Sequence, residues 1–365
     1  MSQPVRYSAD VEKVEPGEGD TIRQLREQFK LIQDTTSKDY DHAVRAVHAK
    51  AHGIAKGRLT VKDDLPPELA QGIFAQAGSF DAVLRISTNA GDILDDDIGL
   101  PRGLALKVMG VEGERLPGSE DETSQDFIMV NGPVFSAPDA SAFLKNLKLL
   151  AKTTDRGMGA KKVLSTLLHA TNTALTAVGV ESPTIQQLGG APQVHPLGET
   201  YYSQTPYRFG DYIARWQLVP VSPELTGFTK EVVDTAGRPD ALREEVRRGL
   251  VEGGGTWELR VQLNTNLDAM PIEDPTKPWD EKESPFRTVA MLAVPAQISW
   301  EHGESDRLDN TLSFNIWRGV AAHQPLGGIN RARNDTYRQS TSYRRGFNGC
   351  PMHEPQSIAE LESAG

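Results

Sequence analysis

AVLRISTNAGDILDDDIGLPRGLALKVMGVEGERLPGSEDETSQDFIMVN, residues 82–131, reads as three strands and the turns between them. Residues 82–88, 104–110 and 126–131 are short runs rich in Val, Ile, Leu and Phe, and Gly, Pro and Asp fill the gaps. Working outward, the same signature returns at 57–61, 211–221, 256–264 and 288–300. Helical patterns lie between and around these runs. One starts at a cap on Asp20 or Thr21 and carries Ile22, Leu25, Phe29 and Ile32 on one stripe. Others cover 139–153, 160–178 and 239–250, and a further helix surrounds Tyr337. Many strands with helices inserted between and after them predict an α+β chain built on an antiparallel barrel or sheet. No Pro/Gly/Ser linker splits the chain, so one domain is expected over 19–350, with an arm at 1–18 and a tail at 351–365.

At 365 residues the chain is long enough to bury a large core, and 38% hydrophobic with 24% charged residues fits a globular protein. The net charge of −11 is spread along the chain, which argues against nucleic acid as a partner. A single cysteine, Cys350, excludes an internal disulfide and any CxxC zinc pattern. The first residues lack an apolar signal core, and no run approaches the roughly 20 apolar residues that span a bilayer. A cytoplasmic location with no membrane contact is the expectation.

Three clusters carry chemistry. In the first, Arg333, Tyr337 and Arg344 stand four and seven residues apart, which returns them to one face of a helix. Free tyrosine titrates near ~10, and adjacent positive charge lowers that by favouring the anion. A phenolate beside a fixed guanidinium is a strong axial donor for ferric haem; the bland alternative is a solvated face of an Arg-rich tail. The second cluster is His42-Ala-Val-Arg45-Ala-Val47-His48-Ala-Lys-Ala-His52, holding three of eight histidines. His48 and His52 at a helical spacing of four suggest a metal site, but no glutamate completes it. A polar helix end is another reading. In a third, His48 is an acid/base that moves a peroxide proton, with Arg45 on an anionic group of a cofactor. The third cluster pairs Arg85 and Ser87 on one face of a strand, where the serine hydroxyl can fix a histidine tautomer; an ordinary strand entering a Gly-rich turn is the alternative.

Together these stretches resemble the haem catalases. RAVHAKAHGIAKGRLTV (45–61) is similar to the family's R-x-x-H-A-K-G-x-G-A-x-G-x-F-x-V. LRISTNAGDI and GLPRGLALKV resemble R-F-S-T-V-A-G and D-P-R-G-F-A-x-K, and MPIEDPTKPWDEKESPFRTVAMLAV (270–294) resembles I-E-D-x-T-K-x-W and the strand after it. RARNDTY with Arg344 matches R-x-x-x-Y…R. The four motifs stand in the family's order over roughly residues 40–348. The resemblance implies an antiparallel barrel holding haem b. Tyr337 would be the iron ligand, held as phenolate by Arg333. His48 would be the distal acid/base, oriented by Ser87. Arg45, Arg85 and Arg344 would pair with the haem propionates. Val47 would line the channel, and Phe135 would pack near the distal face.

One departure concerns the distal side. Catalases carry an asparagine ahead of F-F-I-R-D-P; here Ser124 and Gln125 lie nearest that place and are the candidates for the second distal donor. The change points away from efficient hydrogen peroxide dismutation. The chain also lacks the C-terminal parts of larger catalases, so a minimal catalase-related protein is implied, with a shorter, wider channel favouring bulky peroxides. The expected activity is peroxide consumption, as a catalase or as a peroxidase with a small organic electron donor. Two alternatives stand beside it: a fatty-acid hydroperoxide isomerase or lyase, and a haem carrier or sensor without turnover. The intact His48–Ser87 pair argues against the last. A homo-oligomer is what the resemblance implies for assembly.

Overall fold

A computed structural model describes residues 3–154, 190–350, 352 and 354–363. The helix expected at 160–178 lies outside them. Nine strands form one antiparallel sheet: β1 (Ala51–Val61), β2 (Ser79–Thr88), β3 (Arg102–Val108), β4 (Gln125–Val130), β5 (Tyr201–Tyr202), β6 (Tyr207–Phe209), β7 (Tyr212–Pro220), β8 (Gly255–Leu263) and β9 (Arg287–Val294). Their order is β5-β4-β3-β2-β1-β9-β8-β7-β6, and β5 also pairs with β7. That last pairing closes an eight-stranded ring, with β6 as a hairpin partner outside it. Closure removes the sheet edges, the usual route to aggregation. The expected α+β chain on an antiparallel barrel is therefore what the protein has.

Alternation along the strands separates two environments. Leu84 and Ile86 of β2 join Trp216, Phe127, Phe74 and Trp257 in the barrel interior, packed as a continuous core. Phe127 meets Trp216 edge-on, with ring centres 5.2 Å apart. The barrel is thus filled by side chains and is no pore. The intervening residues Arg85 and Ser87 point outward, toward a helical layer.

That layer has three members: α1 (Glu18–Tyr40), α2 (Ala140–Thr154) and a long helix near the C-terminus (Gly328–Asn348). Leu25, Phe29 and Ile32 of α1 are buried against Ala46, Leu144, Ile329 and Ala332, so the stripe read from the sequence is the packed face. Two shorter helices precede the long one, α3 (Ala241–Glu252) and α4 (Glu304–Thr311); the long helix is α5, and α6 (Ile358–Ser363) follows. The strand expected over 288–300 stops at Val294, because Pro295 cannot donate to the ladder. The two helical readings of the His48–His52 stretch fail, because these residues are not in a helix. Asp41 ends α1 in the left-handed region, an irregular loop follows, and β1 begins at Ala51.

The ends of the chain are fastened to the barrel. Val5, Tyr7 and Val11 pack on Ile213, Met270 and Leu326, and the Val5 amide donates to the Asn264 carbonyl. Beyond Asn348, Leu361 is buried with Leu308, Leu312 and Phe314, and the Glu354 carboxylate accepts from Lys107 Nζ at 2.5 Å.

Candidate active site

Between the outer face of β2, β3 and β4 and the helices α1 and α5 lies a cavity. Arg85 and Ser87 come from β2, Gly103 and Ala105 from β3, and Ile128 from β4. Phe29 comes from α1, Arg45, Val47 and His48 from the loop before β1, and Tyr337, Thr341 and Arg344 from α5. Of the residues singled out in the sequence, Arg45, Val47, His48, Arg85, Ser87, Tyr337 and Arg344 meet here.

His48 owes its position to the backbone. It is a non-glycine residue at φ +54°, an uncommon left-handed conformation. Its amide donates to the Asn89 carbonyl at 3.0 Å, and the next amide donates to Ala90, so the loop is pinned to the end of β2. The ring turns into the cavity, and Nδ1 lies 3.1 Å from Ser87 Oγ. Gly103 stands opposite Ser87 in the β2–β3 ladder. A Cβ at Gly103 would lie 2.6 Å from Nδ1, so only glycine leaves the ring its room. Burial, followed by Arg85, Arg333 and Arg45, pushes the imidazole down to about 3. The ring is therefore neutral near pH 7, not poised at its midpoint as its residue type suggests. His52 does not join it. On β1 it is fully buried and faces Thr88 Oγ1 at 3.2 Å, so the metal reading based on a helical spacing of four loses its helix.

Tyr337 and Arg333 share α5 one turn apart. The Arg333 guanidinium lies 5.5 Å from the Phe135 ring centre and donates to Asn330 Oδ1 at 3.2 Å. Phe135 is buried with Phe29 and Leu144 in the helical layer, one step behind the cavity. Burial raises the Tyr337 phenol above its ordinary range, and the Arg333 charge offsets only part of that. In the chain by itself the phenol keeps its proton, because desolvation outweighs one guanidinium; the sequence reading had the balance reversed. A cation bound directly to the oxygen would reverse the sign.

Ser124 and Gln125 are elsewhere. Ser124 Oγ donates to Glu354 at 2.5 Å, and Gln125 Oε1 accepts from the Val320 amide at 3.0 Å. The period of two explains this. Ser124 and Ile128 are on the same outer side of the strand, roughly 13 Å apart at ~3.3 Å per residue, and Ile128 is the one at the cavity. β4 therefore presents the apolar Ile128 and Met129 to the cavity, not Ser124 or Gln125.

The residue that sequence reading missed is Asp309. Its carboxylate accepts from Arg45 Nη1 at 2.7 Å and from Arg85 Nε at 2.6 Å. Those two arginines, with Arg344, hold it well below the usual carboxylate range. In the sequence it sits in the charged run ESDRLDN, indistinguishable from a solvated helix face.

No protein-family model matches this sequence, and no curated protein matches it. Among solved structures, the chain is similar to a fungal catalase, with a TM-score of 0.61 and 19% identity over 86% of this chain and 62% of that one. It is also similar to catalase A from Saccharomyces cerevisiae, with a TM-score of 0.58 and 17% identity over 95% of this chain and 68% of the other. The chain thus spans about two thirds of the length of the catalases it matches. Among the described residues no helix is long and apolar enough to cross a membrane. An eight-stranded antiparallel barrel, helices on its outer face and these two likenesses together give the chain a catalase-like fold.

Proposed function

We propose that the protein is a haem-dependent, peroxide-consuming oxidoreductase, a small catalase-related peroxidase or catalase. The observation that carries the reading is one cavity with a phenol on α5, a neutral imidazole on the barrel side and three arginines at one edge. An iron porphyrin fits the donors present. Arg344 Nε is buried without a partner, as an arginine awaiting an anion would be. Gly103 leaves the imidazole room on the ladder side. The phenol needs a directly bound cation to ionise.

Tyr337 would hold the iron, Arg333 would favour its phenolate, and Arg45, Arg85 and Arg344 would hold the propionates. Ferric haem, when bound, supplies the redox chemistry that cleaves the peroxide O–O bond. The chain supplies proton handling. Nδ1–H of His48 donates to Ser87 Oγ, leaving Nε2 as the acceptor that takes the proton from the inner peroxide oxygen and returns it to the leaving one. Imidazole hydrogens are not observed, so this tautomer is assigned from the role. Ile128 lines the cavity where Ser124 or Gln125 was expected to supply a second donor, which favours organic hydroperoxides over hydrogen peroxide. A small organic donor would then complete the cycle.

The test is to load the protein with ferric haem and add hydrogen peroxide, then cumene hydroperoxide with a chromogenic donor. Donor oxidation with little oxygen release is expected. Vigorous oxygen release from hydrogen peroxide would make it a working catalase and refute the peroxidase preference. Rearrangement of a lipid hydroperoxide without donor oxidation would favour the isomerase alternative.

A further inference from the structure

Three guanidiniums meet at one edge of the cavity, those of Arg85 and Arg344 buried and that of Arg45 partly so, and one carboxylate stands among them. Asp309 lies behind the arginines and does not line the cavity. It takes Arg45 through Nη1 and Arg85 through both Nε at 2.6 Å and Nη2 at 3.2 Å. The end of α4 does the rest. Arg45 Nη2 donates to the carbonyls of Asp309 and Leu312, both at 2.9 Å. Arg344 donates to the carbonyls of Asp309 at 3.3 Å, Asn310 at 3.4 Å and Leu312 at 3.2 Å. These are the last carbonyls of a helix, which lack partners within it and attract cations. The bonds just given leave one nitrogen of each arginine unused: Arg45 Nε, Arg85 Nη1 and Arg344 Nε, the last buried without a partner.

From this arrangement we infer that Asp309 is the positioning residue of a carboxylate clamp. It fixes Arg45 and Arg85 from behind, so that one donor of each arginine faces the cavity and the cluster matches a ligand with two carboxylates. The inference rests on the porphyrin reading of the cavity. Two reasons support it. Guanidiniums this close repel one another, so without a counterion they would not hold parallel positions before a ligand arrives. Three positive charges against one negative also leave two, the charge that a porphyrin with two propionates neutralises.

The experiment is a fluorescence titration of the metal-free protein with metal-free protoporphyrin IX and with its dimethyl ester, which removes any contribution from an iron–Tyr337 bond. The wild type should bind the diacid at least about tenfold tighter than the ester. Asp309→Asn should lose most of that ratio through weaker diacid binding, with ester binding unchanged. Asp309→Glu should recover it to within about threefold. Melting curves show whether each variant is folded. Should Asp309→Asn not fold, Asp309→Ala carries the test in acetate: the free carboxylate should restore the diacid preference there and not raise it in the wild type. A wild-type ratio in Asp309→Asn, or no acetate effect in Asp309→Ala, would overturn the inference and leave the porphyrin reading standing. A wild type that binds neither porphyrin would overturn both.

Discussion

Replacing Gly103 with alanine should disable the histidine while leaving the cofactor clamp intact. The new methyl would sit 2.6 Å from His48 Nδ1 and nearer still to Cε1, against an ordinary contact of roughly 3.5 Å. The ring must retreat by about 1 Å, which takes the 3.1 Å contact with Ser87 past hydrogen-bond range. Gly103 does not occupy the left-handed region, so alanine incurs no backbone strain and the effect is steric. Overpacking of this kind costs about 1–3 kcal/mol, a few degrees in melting temperature. A proton acceptor displaced by ~1 Å loses on the order of 10²-fold in rate. The assay is stopped-flow reaction of the haem-loaded variant with peroxide, alongside its melting curve and its affinity for metal-free protoporphyrin. The expected pattern is a rate lower by about two orders of magnitude, a modest loss of stability and porphyrin affinity within about threefold of wild type. A variant that melts as wild type and reacts at the wild-type rate would refute both the crowding argument and the role of His48.

Other perturbations follow from the buried charges. Burial pushes His323 down to about 3, where its Nε2 accepts from the Ile73 amide at 3.1 Å. The unfolded chain takes up that proton near ~6.5, so stability must fall as pH drops from about 6.5 toward 3, by up to ~1.4 kcal/mol per pH unit for this residue. Urea unfolding of the metal-free protein at pH 7 and pH 5 should show the loss, and His323→Gln should remove one proton's share of the slope; an unchanged slope would contradict it. Lys107, fully buried, pairs with Asp126 at 2.8 Å and with Glu354, so Lys107→Met should cost about 3 kcal/mol by leaving buried carboxylates under-compensated. Chemical denaturation measures this, and a loss below ~1 kcal/mol would mean that Arg318, 3.1 Å from Asp126, suffices alone.

Much of this was legible in the sequence, for definable reasons. Seven of the strands announced themselves as short apolar runs among Gly, Pro and Asp, whereas β5 and β6, two and three residues long, carry too little pattern to be read. Arg85 and Ser87 shared a face because a strand has a period of two, and that face is the cavity wall. Tyr337 and Arg344 were found through helical spacing. What sequence could not show was tertiary. Ser124 and Gln125 were placed by proximity in a motif, whereas β4 carries Ile128 to the cavity and leaves Ser124 to a glutamate 230 positions away. Two readings of the His48 stretch leaned on a helix, yet its conformation is imposed by bonds to Asn89 and Ala90. Asp309 gave no signal, since its neighbours are charged and its partners come from three distant segments.

Titration of the purified protein with ferric haem, followed by absorption spectroscopy in wild type and Tyr337→Phe, tests the central claim most directly. The account predicts one haem per chain with a tyrosinate-type ferric spectrum in the wild type. In Tyr337→Phe that spectrum should disappear while metal-free protoporphyrin still binds, because the proposal gives the phenol to the iron and the arginines to the propionates. An unchanged spectrum in Tyr337→Phe, or no haem uptake by the wild type, would contradict it.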